Sequence, residues 1–437
     1  MESLYTYIVF ALLILIIGVP YWIKSAKKQK LAQQSLDKNK KAGLDEPATL
    51  HPRIDLISCI GCASCVRACP EDVLEIVDGR AAVVNGIRCV GHALCAEVCP
   101  VGAITMGFGK PKQGMEIPLY DGNFMTNIER LYIVGELGGV GLIKNAFEQS
   151  KKAVEHIASK PYTKGEAMFD VAIIGAGPAG IGAALTAQSR GLSHVVLEQY
   201  ELGGSILHYP RQKLVLTSPA ELPLYGKLKV SEISKEELLE IFNSVVDKFK
   251  LKIQPNQKVE SITNTGKYFQ IQTGQATYTA AHVVLALGRR GSPRKLNVPG
   301  ENHTKVYYRL IEAEQYNGKH VLVVGGGDSA IEAAVGLARQ KGNTVTLSYR
   351  REGFVRLKEK NEKRVQEMMK GNKLKAIFNS DVAEIRSDSV IIKEKEKIIH
   401  TIPNQFVFIF AGGELPAEFL KKIGIKLRTE DVEIKAA

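Results

Sequence analysis

The sequence predicts an α/β chain with two Rossmann-like dinucleotide-binding domains, preceded by a small α+β cysteine-rich domain and one N-terminal transmembrane helix. Three observations carry this. Two Gly-rich loops, at 175–180 and 325–330, each follow an apolar run and open a helical pattern. All seven cysteines fall between Cys59 and Cys99. Residues 4–23 carry no charge. A chain of 437 residues, 45% hydrophobic and 24% charged, has room for two to four folded domains and is not a disordered polymer. Cysteines so confined exclude a dense disulfide scaffold, and any chemistry that needs a thiol outside 59–99.

The first 25 residues are expected to be a membrane anchor. LYTYIVFALLILIIGVPYWI, Leu4 to Ile23, is 20 uncharged residues, about 30 Å of helix, which matches a bilayer core. Tyr5, Tyr7, Tyr21 and Trp22 lie near its ends, where interfacial aromatics sit. A cleaved signal peptide would start with basic residues and end at small ones, and MESL followed by no A-x-A fits neither. Seven lysines and one aspartate follow between 24 and 41, half of the chain's net charge of +12. The positive-inside rule then places the rest on the cytoplasmic side of the inner membrane, in single-pass topology. Lysines beside a span point to anionic lipid, not nucleic acid. Residues 26–50 are polar without periodicity and are expected to form a flexible linker.

The third element spans 51–110. Residues 59–70 read CIGCASCVRACP, and residues 89–100 repeat the spacing as CVGHALCAEVCP, offset by 30. C-x2-C-x2-C-x3-C-P suits thiolates converging on a compact iron–sulfur cube, with Gly61 letting the loop wrap tightly. Zinc needs four ligands and gives no reason for the doubling. VLEIV and AAVVN suit short strands. The segment resembles a two-cluster bacterial ferredoxin. In that family the fourth Cys of each run serves the other cluster. The resemblance therefore implies one [4Fe–4S] cluster on Cys59, Cys62, Cys65 and Cys99. The second takes Cys89, Cys95 and Cys69, with His92 where the family has a cysteine. His92 as a ligand gives a second [4Fe–4S] cluster. Without it, that site is a [3Fe–4S] cluster or is lost.

The flavin and nucleotide elements follow. DVAIIGA leads into GAGPAG at 175–180, then a helical IGAALTAQSRG and a strand ending at Glu198. Gly175 provides the tight turn, Gly177 close approach to a pyrophosphate and Gly180 close helix packing, while Glu198 is placed to hold ribose hydroxyls. The second loop, in VLVVGGGDSAIEAAVGLARQ at 321–340, uses Gly325, Gly327 and Ala330. Its next strand, TVTLSYRR, ends in Arg350 and Arg351 where an acid would mark NAD. A guanidinium there can grip a 2′-phosphate, so NADPH is preferred over NADH.

Two such units in tandem, with HVVLALGRR at 282–290 and FVFIFAGGELP before residue 417 as strand-to-glycine crossovers, resemble thioredoxin-reductase-like flavoproteins. The resemblance implies FAD bound over 111–292, completed by 403–437, and NADPH bound over 293–402. It adds Gly203, Gly204 and Gly288 to the flavin site. Thioredoxin reductases carry a Cys-x-x-Cys pair ahead of the second glycine loop. Here that stretch, KVYYRLIEAEQYNGKHVLVV, has no Cys. The match is closer to dithiol-free relatives such as the thioredoxin-reductase-like ferredoxin–NADP reductases. The family also ends with a strand, a Gly-Asp at the flavin ribityl chain and a helix. That pattern is found instead at 124–158: strand LYIVG, Gly135 and Glu136, a bend at Gly138, Gly139 and Gly141, then an amphipathic helix from about Leu142. The resemblance thus implies a circularly permuted flavin domain.

The functional expectation is a membrane-tethered flavoenzyme moving electrons between NADPH, FAD, the clusters and an outside partner, a carrier protein or a quinone. Two alternatives stay open: a flavin-dependent disulfide or quinone reductase with accessory clusters, and a non-catalytic electron-wiring subunit. No side chain is assigned acid or base work, and a homodimer is compatible with the sequence.

Overall fold

The computed structural model describes residues 16, 18–41, 50–89, 91–108, 117–138, 142–160, 165–209, 211, 213–216, 220–228, 233–288, 293–355, 357–394, 399–413 and 416–428. Nearly all of the expected span 4–23 lies outside these residues. Among the described residues no helix is long and apolar enough to cross a membrane. The chain divides into two compact units, one ending at Lys112 and one running from Gln113 to Thr429.

In the first unit, helix α1 (Val19–Lys41) occupies most of the stretch expected to be a flexible linker. This corrects the expectation. Between Tyr21 and Lys41 there is no Gly or Pro, and Lys, Gln, Ala and Leu are good helix formers. Gln29, Ala32, Gln33, Leu36 and Asn39 fall on one face, at helical spacing, and only Ala32 and Leu36 among them are apolar. They pack on Val77 and Val84 of the cysteine-rich domain. Asn39 Nδ2 donates to the Val84 carbonyl at 2.8 Å, and Lys28 pairs with Glu75 at 3.6 Å.

The cysteine-rich domain has an antiparallel pair, Leu50–Ile54 with Ile104–Phe108, and a hairpin, Leu74–Val77 with Arg80–Val83. Two short helices, α2 (Ser64–Ala68) and α3 (Leu94–Glu97), begin inside the two cysteine runs.

The second unit contains two large sheets, a three-stranded antiparallel sheet (Ser380–Ile385, Ser389–Glu394, Ile399–Pro403) and smaller two-stranded pairs. The first joins Phe169–Ile174, His194–Leu197, Ile253–Gln254 and the nine-residue strand Thr277–Leu285 with the antiparallel strands Phe269–Thr273 and Val259–Asn264. Thr277–Leu285 changes neighbour along one edge. Ala280 pairs with Phe269, but Val283 to Leu285 pair in parallel with Leu131 to Ile133. The strand from the 124–158 stretch therefore lies in the same sheet as Phe169–Ile174. Helix α4 (Ile143–Ser159) follows it and packs against α5 (Pro178–Ser189), burying Phe147, Ala153, Val154 and Ile157.

The second sheet is all parallel, in the order Val306–Tyr307, Phe406–Ile409, His320–Val324, Thr344–Tyr349, Leu374–Phe378. This corrects a boundary. Strand Phe406–Ile409 was expected to complete the flavin domain with the rest of 403–437, yet it closes the second sheet. Its partner decides: Val407 lies between Leu322 and Val306. The chain crosses back only afterwards, where Gly413 bridges Pro293, and Leu420 and Ile425 then enter the core around Leu131, Ile133 and Leu285.

Candidate cofactor sites

The two cysteine runs fold alike. Gly61 and Gly91 have φ of +69° and +79°, and Ala63 and Ala93 have φ of +59° and +62°. A Cβ on Gly61 would lie 2.1 Å from the Gly79 carbonyl oxygen, so only glycine lets this loop close on the hairpin. The fold gathers the eight candidate ligands into two groups. Cys59, Cys62, Cys65 and Cys99 line one pocket of about 300 Å³ including its mouth. Cys69, Cys89, His92 and Cys95 line another of about 330 Å³. The exchange of fourth cysteines between the runs is thus present in the backbone.

The donor set fits a cluster better than a single ion. Among the described residues no group of His, Cys, Asp and Glu is arranged to hold one metal ion. A cube whose irons take one ligand each needs donors spread around a cavity instead. Backbone N–H groups of Ala81, Val73 and Ala103 donate to the sulfurs of Cys59, Cys69 and Cys99 at 3.5, 3.4 and 3.2 Å, as thiolates at a cluster require. Burial pushes the Cys89 thiol up to about 11 and Cys95 up to about 12, with the neighbouring thiols adding to the rise at Cys95. A cation bound at sulfur would be what sustains thiolates at those positions. Cys62 differs. It is exposed, and the Ser64 hydroxyl beside it holds its pKa below the ordinary thiol value.

The first glycine loop connects Phe169–Ile174 to α5, with Gly177 at the N-cap and Pro178 opening the helix. A Cβ on Gly175 would lie 2.6 Å from the Ala286 oxygen, and one on Gly180 would lie 1.8 Å from the Gly175 oxygen. Glu198 is 4% exposed. Its oxygens accept from the N–H groups of Ala176 at 2.7 Å and Tyr200 at 3.0 Å. The acid thus braces the loop, and each oxygen keeps a lone pair for a ribose hydroxyl. Gly203 and Gly204 lie against the loop: Gly203 N–H donates to the Ala176 carbonyl at 3.0 Å, and a Cβ on Gly204 would stand 3.0 Å from the Gly177 Cα. A Cβ on Gly288 would lie 3.7 Å from the Ser205 Oγ.

Gly135 lies against the same loop, and Glu136 follows it in the short helical turn Gly135–Gly138. Gly135 has φ of +75°, and a Cβ there would stand 2.9 Å from the Ala179 Cβ in the first turn of α5. Its N–H donates to the buried Gln149 side chain at 2.8 Å. Tyr120 donates to the Gly138 carbonyl at 2.6 Å, fixing the far end of this turn. Gly139 and Gly141 lie outside the described residues.

The second loop repeats the first. A Cβ on Gly325 would lie 2.6 Å from the Phe410 oxygen, the counterpart of Ala286, while Gly327 has open space before α6 (Asp328–Ala338). Ala330 is buried in that helix. Arg350 and Arg351 directly follow strand Thr344–Tyr349, and among the described residues neither has an ion pair. Sequence reasoning missed three features here. Gly326 is needed because the Tyr349 ring would sit 2.4 Å from a Cβ, for which the run of three glycines was the only signal. Asp328 Oδ1 accepts from Lys358 N–H at 3.1 Å and Asn361 Nδ2 at 2.8 Å, fastening Lys358 and Asn361 to α6. His208, Arg211 and Lys213 reach the nucleotide-binding part through Arg309 to His208 at 2.9 Å, Arg211 to Glu312 at 3.0 Å and Lys213 to Glu332 at 2.9 Å. Such pairs between distant stretches leave no local pattern.

A flavin-type loop, a nicotinamide-type loop and paired thiol pockets define the class: a FAD- and NAD(P)H-dependent iron–sulfur oxidoreductase. The chain belongs to the pyridine nucleotide-disulphide oxidoreductase family, whose model matches residues 172–435, and residues 52–106 match a 4Fe-4S dicluster domain. It is 29% identical over 263 residues to the bacilliredoxin reductase Bdr of Bacillus subtilis, covering 59% of this chain and 81% of that protein. It is 27% identical over 273 residues to a ferredoxin–NADP reductase of Ignicoccus hospitalis, covering 61% and 84%. Among solved structures, the bacillithiol disulfide reductase Bdr (YpdA) of Staphylococcus aureus matches with a TM-score of 0.55 at 27% identity, over 59% of this chain and 80% of that one.

Proposed function

We propose that this chain is a membrane-tethered electron-transfer flavoenzyme that links NADPH to a one-electron partner. The observation that carries it is where the thiols are. Cys59 to Cys99 hold every thiol of the chain, and they line two pockets, so residues 113–437, which carry both glycine loops, contain no dithiol of their own. When bound, the flavin exchanges hydride with the nicotinamide, and the clusters exchange electrons singly with their surroundings.

The residues have these parts. Gly175, Gly177 and Gly180 admit the pyrophosphate of FAD, and Glu198 holds its ribose. Gly135 and Glu136 lie at the ribityl chain, in a flavin domain whose closing strand and helix have moved to its front. Arg350 and Arg351 select the 2′-phosphate of NADPH. Cys59, Cys62, Cys65 and Cys99 hold a [4Fe–4S] cluster. Cys69, Cys89, Cys95 and His92 hold a second, which is [3Fe–4S] if His92 stays off iron. The uncharged run 4–23 anchors the chain in the inner membrane, and the lysines that follow it keep the cluster domain on the cytoplasmic face. The outside partner is a carrier protein or a quinone.

Anaerobic titration with NADPH tests the reading. Bleaching of both flavin and cluster absorbance supports it. Bleaching of flavin alone favours a disulfide or quinone reductase, the reading supported by the disulfide-reductase relatives. Bleaching of neither would mean a wiring subunit without turnover.

A further inference from the structure

Helix α1 enters the framework of the second thiol pocket at its last turn. Asn39 Nδ2 donates to the Val84 carbonyl at 2.8 Å and to the Asn85 Oδ1 at 3.0 Å. Both amide protons of Asn39 are thereby used, and the Asn85 amide is oriented, because its oxygen faces α1 and its nitrogen must face away. That nitrogen donates to the Asp72 carbonyl at 2.9 Å. The N–H groups of Val84 and Asn85 both donate to the Val73 carbonyl, at 2.9 and 3.1 Å. The Val73 N–H then donates to the Cys69 sulfur at 3.4 Å. On its other side Asn85 precedes the short turn Gly86–Arg88, its carbonyl accepts from the Arg88 N–H at 3.0 Å, and the turn leads into Cys89. One side chain of α1 thus braces both loops that deliver Cys69 and Cys89.

The first pocket is held differently. The Ala81 N–H that donates to the Cys59 sulfur lies near the tip of the hairpin. Arg80 clamps that tip by donating to the carbonyls of Leu56, at 2.6 Å, and Cys59. None of these bonds involves α1, Val84 or Asn85. The other contacts of α1, Ala32 and Leu36 on Val77 and Val84 and Lys28 with Glu75, meet residues that line neither pocket. Groups that hold the ligands of a metal tune it without touching it. At a cluster, an N–H donated to a ligand sulfur withdraws charge, favours the reduced state and raises the potential.

We propose that Asn39 is a positioning residue for the second cluster: through Asn85 it fixes the loops carrying Cys69 and Cys89, so that the docking of α1 sets the potential of that cluster and not of the first. The helix then belongs to the electron path's tuning and is more than a spacer. This rests on the assignment of Cys69, Cys89, Cys95 and His92 to the second cluster.

Redox titration of the full chain in detergent, read by low-temperature paramagnetic resonance, is the test. Cys69→Ala marks the second cluster's signal as the one it removes or converts. Asn39→Leu keeps the volume, adds no charge and takes both amide protons from Val84 and Asn85. It should shift the second cluster's reduction equilibrium toward the oxidised form by about 3- to 10-fold, tenfold being about 59 mV for one electron, and leave the first cluster unmoved. Asn85→Ala should do the same. The double variant should shift no further than the larger single one, because both act through one chain of bonds. Lys28→Gln loosens docking without touching Asn85 and should leave both potentials at wild-type values. A wild-type second potential in Asn39→Leu would overturn the proposal. So would an equal shift of both clusters, or a shift in Lys28→Gln as large as that in Asn39→Leu, since either assigns Asn39 to docking alone. Both cluster signals intact in Cys69→Ala would instead overturn the ligand assignment, and the proposal with it.

Discussion

Gly135→Ala probes the segment that chain order separates from the rest of the flavin domain. Gly135 sits at φ of +75°. An L-residue in the left-handed region costs about 1–2 kcal/mol. The new methyl would also stand 2.9 Å from the Ala179 Cβ. Relieving that contact costs about 1–3 kcal/mol more. Ala179 lies in the first turn of α5, so the turn yields by moving off the helix that frames the dinucleotide loop. The sum, about 2–5 kcal/mol, corresponds to FAD binding weaker by roughly 30- to 5,000-fold. The assay is titration of FAD into apoprotein, followed by flavin fluorescence. Gly165→Ala is the control: φ is +60°, but nothing lies within 4 Å of its Cβ. It carries the strain without the contact and should keep FAD. Wild-type FAD affinity in Gly135→Ala, alongside loss in Gly180→Ala, would refute the placement of this segment at the flavin.

Four further outcomes are expected. Replacing Arg350 and Arg351 together with Ala should weaken NADPH binding by about 1.5–3 kcal/mol, roughly 10- to 150-fold, and spare NADH, as inhibition constants would show. Purified protein should hold about eight irons per chain, His92→Ala should leave a three-iron second cluster, and His92→Cys should keep eight irons while lowering that cluster's potential. Leu36→Asp should free α1 from the cluster domain, and proteolysis after Lys38, Lys40 and Lys41 should quicken about 10- to 100-fold, the equivalent of about 1.5–3 kcal/mol of lost leucine burial. Burial depresses His282 to about 4, so below its unfolded value near 6.5 the unfolded chain binds more protons. Stability should fall from about pH 6.5 down to about pH 4 by on the order of 3 kcal/mol, and urea-induced flavin release should show a smaller fall in His282→Gln.

The glycine loops were legible because strand, turn and helix are contiguous, and each glycine answers to a nearby atom. The strand at 131–133 was legible for the same reason, since LYIVG, the turn and α4 stand in one run. Helix α1 was not. Its buried face is Gln29, Ala32, Gln33, Leu36 and Asn39, and a face that polar shows no amphipathic period. It is held by packing on Val77 and Val84. The place of Phe406–Ile409 was missed because FVFIFAGG and HVVLALG look alike as sequences. Both are last strands that cover the first glycine of a loop, and only pairing tells which loop: Ala286 covers Gly175, and Phe410 covers Gly325. The ties of His208, Arg211 and Lys213 to Arg309, Glu312 and Glu332 were beyond reach, because about a hundred residues of chain separate the partners.

Rapid-freeze paramagnetic resonance of the holoenzyme after mixing with one equivalent of NADPH tests the central claim most directly. Electron transfer through this chain predicts that flavin bleaching comes first and that reduced-cluster signals grow as it proceeds, within the time of one turnover and with no carrier present. Full reduction of the flavin with the cluster signals unchanged over that time would contradict it.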